Sequence, residues 1–108
     1  MSGEERVQEN RAEHRYEIWA GDDLCGFASY QQRGDHLVSF HTEVDPSHEG
    51  EGLGSRLAHE TLEDLRAQRR QVVPRCPFIA AYIRHHPEYL DVVEPSLRRA
   101  LVPTESAA

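Results

Sequence analysis

The chain has 108 residues, 12 Arg and Lys against 19 Asp and Glu, and a formal net charge of −7, the balance of one small acidic domain with no room for a second. All 12 basic residues are Arg, which excludes a P-loop lysine, a Schiff-base mechanism and a lysine nucleophile. The negative balance also argues against nucleic acid, whose non-specific affinity comes from a cationic surface releasing phosphate counterions, and it favours cationic partners such as amines.

Residues 1–14 carry four Glu and two Arg with almost nothing apolar, a composition that predicts a flexible N-terminal arm. Tyr16 to Ala20 alternates large apolar and polar side chains, Gly21-Asp22-Asp23 supplies a turn, and Leu24 to Gln31 resumes the strand pattern, so a hairpin is predicted. Arg33-Gly34-Asp35 signals a second turn into His36 to Val44. On that third antiparallel strand, Val38, Phe40, Thr42 and Val44 are predicted on one face and Leu37, Ser39, His41 and Glu43 on the other.

After Asp45-Pro46 a glycine-rich segment leads into Leu53, Leu57, Ala58, Thr61, Leu62 and Leu65 at helical spacing, which predicts a helix over Leu53 to Gln68. Arg66, Arg69 and Arg70 near its end suit the negative pole of the macrodipole, and Arg56 to Glu60 is an i,i+4 pair. Gln71 to Pro74 reads as a short, Val-rich buried strand. Pro77 opens another helix with Phe78, Ile79, Tyr82 and Ile83 as its apolar stripe, ending near His86-Pro87. A shorter turn or helix over Pro87 to Val93 closes a domain expected to span residues 15–94, and residues 95–108 read as a weakly ordered tail.

The fold class is α/β (α+β): a mixed, mostly antiparallel sheet with flanking helices. Its helical crossover joins the Val44 strand to the Val72 strand in parallel, with the right-handed sense such crossovers take. No apolar run approaches the ~20 residues of a membrane span, and Met1 to Arg15 has no hydrophobic signal core. A cytoplasmic location away from membranes is therefore expected. Cys25 and Cys76 are far apart and form no CxxC pair, so each is expected as a thiol rather than half of a disulfide.

Gly50, Gly52 and Gly54 lie where the third strand gives way to the first helix, and by themselves they are a weak signal. A glycine loop between strand and helix presents backbone N–H groups at the positive end of a helix dipole, which suits a phosphate or pyrophosphate. The same glycines also serve a tight turn into the helix with no ligand at all. A Rossmann site is disfavoured, because the loop follows an antiparallel start and no second βαβ unit exists.

Val44-Asp45-Pro46 followed by Glu49-Gly50-Glu51-Gly52-Leu53-Gly54 resembles the acetyl-CoA signature of the GCN5-related N-acetyltransferases (GNAT): Arg or Gln, two residues, Gly, one residue, Gly or Ala. His41-Thr42-Glu43-Val44, Val73-Pro74-Arg75-Cys76-Pro77-Phe78 and Arg84-His85-His86-Pro87-Glu88-Tyr89 extend the likeness to the minimal YjdJ-like branch of that superfamily. Glu49 stands where Arg or Gln is usual, and Glu51 adds a second carboxylate. Like charges there oppose a pyrophosphate, with Arg56, Arg75 or Arg84 as candidates to compensate.

The resemblance implies acetyl-CoA entering between two parallel strands that splay apart. It implies cofactor contacts from Thr42, Val44, Glu49, Gly50, Glu51, Gly52, Leu53, Gly54, Ser55, Arg84 and His86. It further implies an amine acceptor, either a small molecule or a protein Lys, with direct attack of the amine on the thioester as the usual route. A monomer or weak dimer is the expected state.

Cys76 precedes Pro77 and so adjoins a helix N-cap, where the dipole favours thiolate. It is either the acceptor in an acetyl relay, with His41 as general base, or an ordinary buried residue. Tyr82 is either the proton donor to the departing CoA thiolate, as the resemblance suggests, or a core residue with an edge hydroxyl. His85 and His86 either cap the helix or touch cofactor, and Glu43 either orients His41 or is solvated. A metal site from His41, Cys76, His85 and His86 has no standard zinc spacing, so no metal is expected. The alternative to an enzyme is a non-catalytic CoA-binding module.

Overall fold

The computed structural model describes residues 5–48, 50 and 52–101. Four strands come first: β1 (Glu5–Asn10), β2 (Arg15–Ala20), β3 (Asp23–Arg33) and β4 (His36–Val44). A 3-10 turn over Pro46–His48 leads into helix α1 (Leu53–Ala67), followed by β5 (Gln71–Pro74) and α2 (Pro77–His85). Two 3-10 helices, Pro87–Val92 and Pro95–Leu101, close the described chain. Sheet order follows chain order, antiparallel from β1 to β4 with β5 added parallel to β4. The expected mixed sheet with a βαβ crossover is present.

Both helices lie on one face of the sheet. Leu57, Ala58, Leu62 and Leu65 of α1 and Ile79 and Ile83 of α2 bury themselves against Tyr16, Ile18, Ala28, Leu37 and Val72. The opposite face has no helix among the described residues and is clad by polar and aromatic groups, as an antiparallel sheet with one solvated face allows. Glu17, only 2% exposed, accepts hydrogen bonds there from Arg15 (2.7 Å), Trp19 (3.0 Å) and Asn10 (3.0 Å). Burial alone would raise its pKa, but these donors outweigh it and hold the carboxyl below its ordinary range. Arg15 in turn lies over Phe27 at 4.8 Å and Arg6 over Trp19 at 5.6 Å.

Three expectations need correction. Residues 5–10 are not a loose arm but an edge strand paired with β2 along its whole length. Composition misses it because ion pairs and cross-strand bonds replace apolar burial: Arg70 binds Glu9 at 3.1 Å, Tyr30 donates to Glu9, and Arg56 reaches Glu5. Beyond Pro95 the chain is likewise ordered as far as Leu101, which is buried, while Arg98 donates to the Val93 carbonyl at 2.9 Å. Residues 1–4 and 102–108 lie outside the described residues.

The third correction concerns β4. Ser29 pairs with His41 but Tyr30 pairs with Ser39, so Phe40 is an extra residue in the strand. A one-residue bulge reverses the alternation of faces beyond it. Leu37 and Ser39 point toward the helices before the bulge, and Thr42 and Val44 take that direction after it. His41 and Glu43 therefore emerge on the helix-free face, and Phe40 is 45% exposed.

All four tyrosines hold their protons more tightly than free phenols. Burial raises Tyr16, Tyr30, Tyr82 and Tyr89, reinforced by hydrogen bonds to Asp64, Glu9 and Glu63 for the first, second and fourth, and by the charge of Glu88 for Tyr82. Tyr30 is pushed up to about 12. Because the folded values exceed the unfolded ones, this stabilisation is complete below pH ~10 and is lost as pH climbs through the folded values. Spectrophotometric titration is expected to show phenolate forming at higher pH in the native chain, with Tyr30 at about 12, than in urea-unfolded chain, which titrates at pH ~10.

Candidate active site

The parting of β4 from β5 makes the site. The two strands pair only from His36 with Gln71 to Ser39 with Pro74. Pro74 has no N–H to continue the ladder, and the Arg75 amide turns back onto the Val73 carbonyl at 3.0 Å. Beyond Ser39, β4 keeps its pairing with β3 from His41 to Val44 but has no strand partner on the β5 side among the described residues, so its peptide groups there face a gap.

Cys76 stands at the mouth of this gap as the N-cap of α2, with Pro77 at the first helical position. The residue is 2% exposed, and its thiol lies 3.3 Å from the Thr42 hydroxyl. The bulge is what turns Thr42 toward it. His41, the neighbour of Thr42, points to the other sheet face, where its Nε2 meets Glu43 at 3.2 Å and its ring lies 6.3 Å from Phe27. The structure thus brings Cys76 to Thr42 and not to His41, contrary to the expected base–thiol pair. It does pair His41 with Glu43.

At the end of β4 the chain folds back through Asp45, whose carboxylate accepts from the Ser47 amide (2.9 Å) and hydroxyl (2.8 Å). These bonds hold its pKa below the ordinary carboxylate value. Gly50 and Gly52 then adopt φ of 87° and 75°, conformations that favour glycine. Gly52 is the N-cap of α1, and no side chain of the described residues caps the helix. The leading amides, from Leu53 through Ser55, therefore keep the unsatisfied donors of a helix start. Glu49 and Glu51, the two carboxylates expected to oppose a pyrophosphate, lie outside the described residues.

A groove of about 270 Å³ continues from this helix start along α2, lined by Ser55, Phe78, Ala81, Tyr82, His85 and His86. Phe78 forms its wall by crossing α1 at Gly54, where an added Cβ would come within 3.0 Å of the ring. Phe78, 39% exposed, therefore faces the groove rather than the core, correcting the expected stripe at that position; Tyr82 lines the groove while packing against the core, and Ile79, Ala80 and Ile83 are the buried side of α2. Tyr82 stacks on His86 with ring centroids 4.0 Å apart, and His86 Nδ1 meets the Tyr82 carbonyl at 2.9 Å. His85 likewise meets the Ala81 carbonyl at 2.8 Å, so both histidines cap the helix while lining the groove. Tyr82 lies six residues beyond Cys76, about 9 Å along the helix axis, and so stands beside Ser55 rather than beside the gap.

Of the arginines proposed to compensate the acidic loop, Arg56 is held by Glu5 (3.5 Å) and Glu60 (3.6 Å). Arg75 lines a different depression with Phe40 and Val73. Arg84 is exposed on α2 and carries no ion pair among the described residues. One neighbouring cluster had no sequence signal: Tyr89 donates to Glu63 at 2.6 Å and lies 2.7 Å from His59 Nδ1, tying the Pro87–Val92 turn to α1. His59 and Glu63 share one face of α1 but belong to none of the motifs, and Tyr89 lies 30 and 26 residues from them in the chain.

An uncapped helix start beyond two left-handed glycines suits a diphosphate, and the parting of β4 from β5 leaves one side of β4 open to an extended arm. No curated protein matches the chain. The model of one family, the GCN5-related N-acetyltransferases, matches residues 15–92, which spans β2 through the turn after α2 and contains every element of the site. The chain is a member of the GCN5-related N-acetyltransferase family.

Proposed function

We propose that this acetyltransferase moves an acetyl group from acetyl-CoA to a primary amine by direct attack, without a covalent enzyme intermediate. The observation that carries this reading is the buried Cys76 thiol, occupied by Thr42 and separated from His41 by the sheet. A relay needs an accessible thiol with a base beside it. Acetyl-CoA supplies an activated thioester when bound. The amides from Leu53 to Ser55 hold its diphosphate, and the unpaired peptide groups of β4 orient the pantetheine arm. Ser55, Tyr82 and His86 line the groove that leads away from the diphosphate along α2.

The acceptor approaches from the helix-free face. There His41, supported by Glu43, takes the proton the amine must lose. The Glu43 carboxylate also favours a cationic acceptor, whether a small amine or a lysine side chain.

Labelled acetyl-CoA incubated with a panel of polyamines and lysine peptides, with products read by mass, tests the function. Acetylated amine is the expected result, and saturable binding without product would make the chain a CoA-binding module. For the route, Cys76→Ala is expected to retain turnover within about tenfold, equivalent to ~1.4 kcal/mol of barrier. Loss of turnover to background in a folded variant would install the thiol relay instead. His41→Gln is expected to lower kcat by about 100-fold with little change in acetyl-CoA affinity, measured by steady-state kinetics and calorimetry.

A further inference from the structure

A cavity of about 700 Å³, larger than the groove at the glycine loop, lies well away from it. It opens at the other end of the sheet, between the β1–β2 turn, the β3–β4 turn and the C-terminal end of α1. The length of α1 separates the two by about 20 Å. Its volume falls in the range of small-molecule sites.

The floor is built and closed. Arg70, whose side chain is 14% exposed, binds both Glu9 oxygens (3.1 and 3.2 Å), Gln68 (2.8 Å) and Gln32 (2.8 Å). Glu9 also accepts from Tyr30. The Glu9 charge is thereby neutralised inside the fold. The rim is different. Among the described residues the Arg69 side chain makes no hydrogen bond or ion pair, and the His14 ring makes only a contact with Tyr30 at 6.1 Å. Arg11, 70% exposed, reaches Gln68 at 3.3 Å and Glu9 at 3.4 Å. Asp35 is the remaining carboxylate of the lining. On a chain of net charge −7, this mouth is locally cationic.

Backbone conformation gives an independent pointer. His14 (φ 55°) and Arg69 (φ 57°) are the two non-glycine residues with left-handed backbone among the described residues, and both line this cleft. Glycine would hold either position without strain. Strained residues of this kind gather at ligand clamps.

We propose that this cleft binds a small oxyanion-bearing metabolite, with Arg69 and Arg11 as its cationic rim, the His14 ring as a hydrogen-bonding group beside them and the Arg70–Glu9 pair as its rigid base. The test uses the full chain and the double variant His14→Gly, Arg69→Gly. Glycine keeps the left-handed turns, so the variant folds and its baseline melting temperature is expected to rise. Thermal unfolding is followed in inorganic phosphate, or in citrate, against chloride at equal ionic strength.

The parent's melting temperature is expected to climb with the logarithm of at least one probe, and the variant is expected to lose that climb. The general stabilisation by such salts acts on both chains alike, so the difference between chains is the readout. Equal climbs in parent and variant would place the anion elsewhere, such as the α1 N-terminus, and overturn the proposal. Absence of any climb in the parent relative to chloride would overturn it too.

Discussion

Replacing Gly26 with Ala is expected to destabilise the fold by about 2–3 kcal/mol, a fall in melting temperature of roughly 10–15 °C for a domain of this size. Gly26 pairs with Val44 across β3 and β4. A Cβ there would sit 2.6 Å from the Glu43 carbonyl oxygen and 3.2 Å from the Val44 Cα. Both obstacles are backbone, so no rotamer change relieves them and the two strands must part. The neighbouring Cys25, an extra residue opposite β2, already bulges β3, and its carbonyl accepts from the Asp45 amide at 2.7 Å. Parting at this point also moves the start of the glycine loop, so acetyl-CoA affinity is expected to fall with stability. Gly21→Asn is the matched control: its site is open, and Asn tolerates the left-handed backbone found there. A Gly26→Ala chain melting within a few degrees of the parent would refute the close β3–β4 packing.

Gly52→Val is expected to weaken acetyl-CoA binding at least tenfold while leaving the fold intact. The site has nothing within 4 Å of an added Cβ, so sterics do not oppose the substitution. What opposes it is φ of 75°, which a β-branched residue adopts at a cost of about 1–2 kcal/mol. A relaxed loop turns the first amides of α1 away from a common target, and a diphosphate held by several of them loses the contacts together. Gly52→Asn, which accepts the left-handed region, is expected to restore most of the affinity. Calorimetric titration of both variants with acetyl-CoA measures this directly. Equal affinity for Val and Asn variants would show that the loop does not hold the cofactor.

The sequence carries the elements well and the site only in part. The spacing of Leu53, Leu57, Leu62 and Leu65 is a strong helical signal because it persists over about three turns. The turn residues at Gly21 and Gly34 locate the hairpins because φ there is positive. The Phe40 bulge leaves no such mark: one extra residue in a strand rich in Val, Phe and Thr changes no local preference, yet it decides whether His41 or Thr42 faces Cys76. Residues 5–10 are illegible for the converse reason. Their stabilisation is long-range, through Arg56, Arg70 and Tyr30, and a window of composition contains none of those partners. Phe78 reads as core by hydrophobicity alone, and only the glycine at position 54 on the facing helix makes its place in the groove wall intelligible.

Acetyl-CoA is expected to lie against the start of α1 and the β5-side edge of β4 together. Amide chemical-shift mapping of the full chain during an acetyl-CoA titration tests it most directly. Saturable shifts at Gly52 to Arg56 and at Thr42 to Val44, with little change at His14 and Arg69, are the predicted result. An unchanged spectrum at millimolar acetyl-CoA, or shifts confined to the distal cleft, would show that these two segments do not bind the cofactor.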